Sequence, residues 1–109
     1  MNEETHERCA FVMFLNPGAE AEYKRRHDEI WPELSTLLRE AGITNYSIHL
    51  LGETGQLFAY MERERSFDGE ALKTHPTMRR WWDAMADLMK THDDGEPVSV
   101  ELDPMFYHR

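Results

Sequence analysis

The chain has a single cysteine, Cys9, so it cannot close an internal disulfide. Its fold must rest on the core alone, and 40% hydrophobic and 11% aromatic residues among 109 suffice for one modest domain. Cations are also scarce: 12 Lys and Arg stand against 21 Asp and Glu, for a net charge of −9. Binding a phosphate backbone or an anionic bilayer needs a basic face, so neither a nucleic-acid nor a membrane partner is expected. No apolar run approaches the length of a bilayer span, and the polar opening "MNEETHER" is unlike a signal peptide. A reducing, cytoplasmic setting is the expectation. Cys9 itself lies in the apolar run "CAFVMFL" and reads as a small buried hydrophobe. HExxH, GxGxxG and GxxxxGK[ST] are all missing, and His27, His49, His75 and His92 show no ligand spacing. Neither a metal nor any other cofactor is expected.

What is present reads as alternating strands and helices. Residues 1–7 form a polar, flexible leader, and residues 8–109 a single domain. A strand over 8–15 ends at "NPG", where Asn16 is placed to cap a helix with Pro17 in its first turn. That helix is expected over 19–40, bent at Pro32 and stopped at Gly42. Strands over 43–51 and 57–64 follow, joined by the hairpin signal "GETGQ". Ser66 is placed to cap a short helix through Lys73. A stronger helix begins at Pro76 and carries Met78, Trp82, Met85 and Met89 on one face. Residues 98–100 and 105–107 supply extended pieces. This order is that of a ferredoxin-like α+β fold, an antiparallel sheet with its helices on one face.

The first strand carries a further hint. Cys9, Phe11, Met13 and Leu15 alternate with Ala10, Val12 and Phe14, so both of its faces are apolar. A strand with one face in water alternates in polarity instead. Helices cover one face of the sheet; the simplest cover for the other is a second copy, giving a homodimer. C-terminal segments folding over that face are the alternative.

Three groups of residues are candidates for chemistry. His27 lies on the same helical face as Tyr23, Leu34 and Leu38, where a core-facing helix ordinarily carries leucine. An isolated helical histidine is more often a satisfied core residue, bonded to a carbonyl or a carboxylate. Tyr23, one turn earlier, projects a phenol beside the imidazole, and that pairing suits a pocket for a hydroxylated ligand. Trp81 and Trp82 form the second group. Trp82 belongs to the methionine stripe, and Trp81 stands at its edge, free to stack on a ligand. Tyr46 and Tyr60 join Tyr23 on or beside the inner surfaces.

These segments resemble a known family. "NPGAEAEYKRRHDEIWPEL", "NYSIHL", "RRWWDAMADLM" and "PVSVEL…FY" follow the order and spacing of the L-rhamnose mutarotases, over residues 9–107. The resemblance implies a dimeric α+β barrel that interconverts the α and β anomers of L-rhamnose. It implies that His27, the histidine of "RRH", is the proton donor, and that Tyr23, Tyr46, Trp81 and Trp82 bind the sugar. The acidic leader, the loop "HDDGEP" and the segment "SFDGEALKTHP" depart from the family pattern, but no matched site position falls in them.

The implied chemistry suits the residues. Anomer exchange opens the pyranose, turns the C1–C2 bond and recloses the ring on the other face of the aldehyde. A group with an ordinary pKa of about 6.5 can give and recover the ring-oxygen proton at neutral pH. Another 6-deoxy sugar such as L-fucose is an alternative substrate. By fold analogy alone, a cofactor-free or haem-degrading oxygenase is an alternative activity, and a non-catalytic sugar-binding module a third reading.

Overall fold

The computed structural model describes residues 5–109. Strand β1 (His6–Phe14) starts two residues before the expected Arg8, because His6 already pairs with Glu64 and Glu7 with Arg63. The Glu7 carboxylate accepts a 2.8 Å bond from the Arg63 guanidinium, which ties this end of the strand down. The expected leader thus gives up His6 and Glu7 to the sheet, and residues 1–4 lie outside those described.

The single bent helix expected over 19–40 is instead two helices, α1 (Glu20–Asp28) and α2 (Pro32–Glu40). Pro32 has no N–H to bond back to Asp28, and its ring holds Trp31 extended at φ −62°, ψ 133°. The chain therefore turns through residues 29–31 and restarts with proline in the first helical turn. Asn16 does not cap α1. The residue preceding that helix is Ala19, and the Asn16 amide donates to the Asp87 carbonyl at 3.3 Å.

Strands β2 (Ile43–Leu51) and β3 (Gln56–Glu64) form the hairpin. Gly55 in its turn has φ +77°, and a Cβ there would lie 2.9 Å from the Leu15 carbonyl oxygen. Helix α3 (Gly69–Thr74) is capped by Asp68, which accepts from the Ala71 N–H at 3.1 Å, and not by Ser66. Helix α4 (Pro76–Met85) is capped by the His75 ring, whose Nδ1 accepts from the Thr77 N–H at 3.1 Å. A 3₁₀ turn, Ala86–Leu88, continues it. The last strand, β4, is only Val100–Glu101. The extended piece expected over 105–107 forms no strand, and Met105 and Phe106 are 90% and 85% exposed.

The sheet order is β2-β3-β1-β4 with every pairing antiparallel, as expected for the split βαβ arrangement. Register sorts the residues by face. Phe11, Ala59 and Ile48 align across three strands, as do Met13, Leu57 and Leu50, and these point toward the helices. Leu34, Leu57 and Met85 are the most deeply buried side chains of that layer. Val12, Phe58 and His49 align on the outer face, next to Ala10, Tyr60 and Ser47. Tyr60 is therefore not an inner-surface residue; its parity along β3 sends it outward. The Arg8 guanidinium sits 3.4 Å over the Tyr107 ring, so the C-terminal segment returns to one corner of this face. Leu51, Phe58 and Val100 stay 43%, 36% and 50% exposed there. No helix of the described residues is long and apolar enough to cross a membrane.

Candidate active site

A partly open cavity of about 1120 Å³ lies between the inner face of the sheet and the helices. Ligand pockets commonly measure about 300–1,000 Å³, so a monosaccharide fits with room for solvent. Tyr23, His27, Tyr46, Trp81 and Trp82 all line it, together with Leu34 and Leu38. The five candidate residues come from α1, β2 and α4, and the fold brings all of them to one hollow.

Helix α1 presents Tyr23 and His27 one turn apart, with ring centroids 4.3 Å apart and planes inclined by 30°. The His27 Nδ1 lies 3.0 Å from the Tyr23 carbonyl oxygen. A carbonyl only accepts, so Nδ1 carries the hydrogen and Nε2 is left for a ligand. Burial holds the His27 pKa below its ordinary 6.5; the Tyr23 carbonyl and the Asp28 carboxylate offset part of that effect. Burial also pushes the Tyr23 phenol up, with a smaller contribution from Tyr46, and pushes Tyr46 up to about 12. Both phenols stay protonated across the physiological range and are able to donate hydrogen bonds.

Tyr46 reaches the cavity through an irregularity. Alternation from the inward Ile43 would put Tyr46 on the outer face. Between Thr44 and Ser47 the register shifts, so that Asn45 and Tyr46 both stand opposite Met61. Asn45 takes φ 49° at this bulge, and its amide donates to the Glu62 carboxylate at 3.0 Å. The extra residue turns Tyr46 inward, the usual effect of a bulge.

The roles of the paired tryptophans differ from the expected ones. Trp81, not Trp82, is the core residue, 8% exposed, while Trp82 is half-buried under the Arg79 guanidinium, 5.2 Å from its ring centroid. Adjacent positions on a helix are about 100° apart, and either can share a stripe with Met78 and Met85; the rotation of α4 decides. Arg26, next to His27 and not singled out from sequence, helps to set it. Its guanidinium donates to the Ala84 carbonyl at 2.6 Å, to Asp87 at 2.9 Å and to Glu22 at 2.8 Å, joining α1 to the end of α4. Trp81 meets the His27 ring edge-on, 5.3 Å between centroids at 85°.

The depressed His27 pKa has a consequence for stability. Between the folded-state pKa and about 6.5 the unfolded chain binds more protons, so stability rises with pH through that window and is lost as pH falls through it. His27→Gln removes the titration. Urea midpoints between pH 7 and 5 are expected to fall less steeply for the variant than for the wild type; parallel slopes would contradict the burial of this imidazole.

Fold and site define a class: small ferredoxin-like α+β proteins that enclose a hollow walled by a histidine, tyrosines and tryptophans. A family model described as L-rhamnose mutarotase matches residues 8–108. The L-rhamnose mutarotase of Brucella anthropi is 54% identical over 103 residues, covering 94% of this chain and 97% of its own. That of Jannaschia sp. (strain CCS1) is 54% identical over 101 residues, covering 93% and 97%. The crystal structure of L-rhamnose mutarotase from Formosa agariphila is similar at a TM-score of 0.85 and 43% identity, over 94% of this chain and 99% of that one. The chain belongs to the L-rhamnose mutarotase family.

Proposed function

We propose that the chain interconverts the α and β anomers of L-rhamnose by opening and reclosing the pyranose ring, with His27 as the proton donor. The observation that carries this reading is the His27 ring itself: a cavity wall whose Nδ1 is engaged by the Tyr23 carbonyl, leaving Nε2 to the ligand. In the protonated imidazole, Nε2–H gives its proton to the ring oxygen as the C1–O5 bond breaks. The C1 hydroxyl loses its proton to solvent at the open side of the cavity, and C1 becomes an aldehyde carbon. After rotation about C1–C2 the steps reverse, and Nε2 recovers a proton from the reclosing oxygen. Burial of His27 makes its protonated form a stronger acid than a free imidazolium.

The other residues bind. Tyr23 and Tyr46 donate to the sugar hydroxyls, and Trp81 and Trp82 cover its apolar C–H face and the 6-methyl group. Exchange spectroscopy between the two anomeric protons of L-rhamnose tests this reading. The exchange rate is expected to rise in proportion to the protein added, and a rate equal to that in buffer would reject it. L-Fucose in the same experiment measures how strictly the sugar is read.

A second copy is the proposed cover for the outer face of the sheet, giving a homodimeric α+β barrel. The exposed Leu51, Phe58 and Val100 on that face support it. Sedimentation equilibrium is expected to give twice the 12.9 kDa chain mass, and Phe58→Arg to give one chain mass. A wild-type monomer would overturn the dimer. A reducing cytoplasm remains the proposed setting, and the thiol of Cys9, pushed up by burial, suits it.

A further inference from the structure

Trp81 meets two rings at nearly right angles. His27 lies 5.3 Å away at 85°, and Trp31 lies 5.2 Å away at 86°. His27 and Trp81 are walls of the cavity, whereas Trp31 is not, so a sugar in the hollow would touch the first two only. Trp31 is held in its own right. Pro32 restricts its backbone to the extended conformation, and its carbonyl accepts from the Leu34 and Ser35 N–H groups, both at 3.0 Å. Its backbone is thereby fixed to the first turn of α2, and the Ile30 N–H, donating to the His27 carbonyl at 3.1 Å, ties the same turn to the end of α1. The Arg26 bonds join α1 to α4 beyond Trp81, at Ala84 and Asp87, and leave the plane of the indole unspecified.

We propose that Trp31 is a positioning residue: its indole fixes the plane of Trp81, and Trp81 fixes the edge against which the His27 imidazole rests. An aromatic ring confined by two perpendicular neighbours has one orientation. With one neighbour removed, it gains rotameric freedom about its own χ2. The broken helix thus has a use. An uninterrupted helix over 19–40 would carry residue 31 on past α1, whereas the turn through residues 29–31 sets its ring behind Trp81. The proposal rests on His27 being the proton donor, since a misplaced imidazole matters only if its nitrogen must meet the sugar ring oxygen.

Two variants and one wild-type measurement test it. Trp31→Met keeps an apolar side chain of flexible shape but no ring, and Trp31→Phe keeps a ring. For Trp31→Met, anomer exchange at saturating sugar is expected to drop roughly tenfold, the scale set by sub-ångström misplacement of a reacting group. The His27 pKa, followed by NMR, is expected to rise toward 6.5 as water reaches the loosened ring. Trp31→Phe is expected to recover most of both. An unchanged exchange rate and His27 pKa in a folded Trp31→Met, with only a lower melting temperature, would overturn the proposal. Should that variant not fold, relaxation of the Trp81 indole N–H in the wild type decides: an indole as rigid as the surrounding backbone is expected, and a mobile one overturns the idea. The wild-type exchange rate alone judges the mutarotase reading. The His27 pKa and the Trp81 order parameter judge Trp31 whatever sugar is turned over.

Discussion

His27→Gln is expected to lower anomer exchange on the order of 10²–10⁴-fold, the contribution of a well-placed general acid. The folded chain is expected to survive the change. Glutamine is close to histidine in length, and its amide can donate to the Tyr23 carbonyl that Nδ1 now contacts at 3.0 Å. It has no proton to give near neutral pH. Circular dichroism and the urea midpoint at pH 7 are therefore expected to stay near the wild-type values while exchange collapses. Binding is expected to suffer far less, because the tyrosines and tryptophans that would hold the sugar are untouched. A folded variant exchanging anomers at the wild-type rate would remove His27 from the proposed mechanism and leave it a satisfied core residue.

Met85→Ala is expected to have the largest effect on stability, a loss of about 2–5 kcal/mol. Met85 is 2% exposed in α4 and belongs to the core cluster with Leu57 and Trp81. Truncation removes three heavy atoms from a close-packed layer between helix and sheet, and the rigid strands beneath cannot collapse onto the gap. Against a typical total of about 5–15 kcal/mol, the loss brings the chain near its folding threshold. Urea denaturation is expected to show a lower midpoint at unchanged slope, the mark of a stability change without a change in exposed surface. A loss under about 1 kcal/mol would mean that the core is not closed at this point.

The four strands, the α3 and α4 helices and the antiparallel topology were legible because each rests on local signals: alternation, glycine turns and first-turn prolines. The break between α1 and α2 was not, although Pro32 marked it. A proline in the first turn of a new helix and one bending a continuous helix share a sequence pattern, and they differ in whether Trp31 is extended or helical. The expected caps differ from the observed ones for a related reason, although α1 and α4 begin within one residue of their expected starts. Asn16, Ser66 and Asp68 are all good caps, and only the path of the chain selects Asp68 and leaves Asn16 to Asp87.

Within the site, Tyr23 and His27 were readable because i,i+4 spacing on a helix leaves little freedom. Tyr46 is grouped with the inner-surface tyrosines and takes its sugar-binding role from the family motif, yet period-two alternation from Ile43 alone sends it outward, and the bulge at Asn45 brings it in. Tyr60 follows the same alternation without a bulge and faces out. Trp81 and Trp82 exchanged roles because periodicity cannot choose between neighbours, and tertiary ties such as Arg26 do. Trp31 escaped notice altogether: its partner lies 50 residues along the chain, on α4.

The central claim is that the His27 imidazole borders a hollow that L-rhamnose fills, and its own resonance reports on that directly. Proton NMR of the histidine Cε1–H groups during titration with L-rhamnose is expected to move the His27 signal saturably and to change its pKa. His49 on the outer face and the exposed His92 are expected to stay still. A His27 signal indifferent to saturating sugar, or one that shifts no more than those two, would contradict the account.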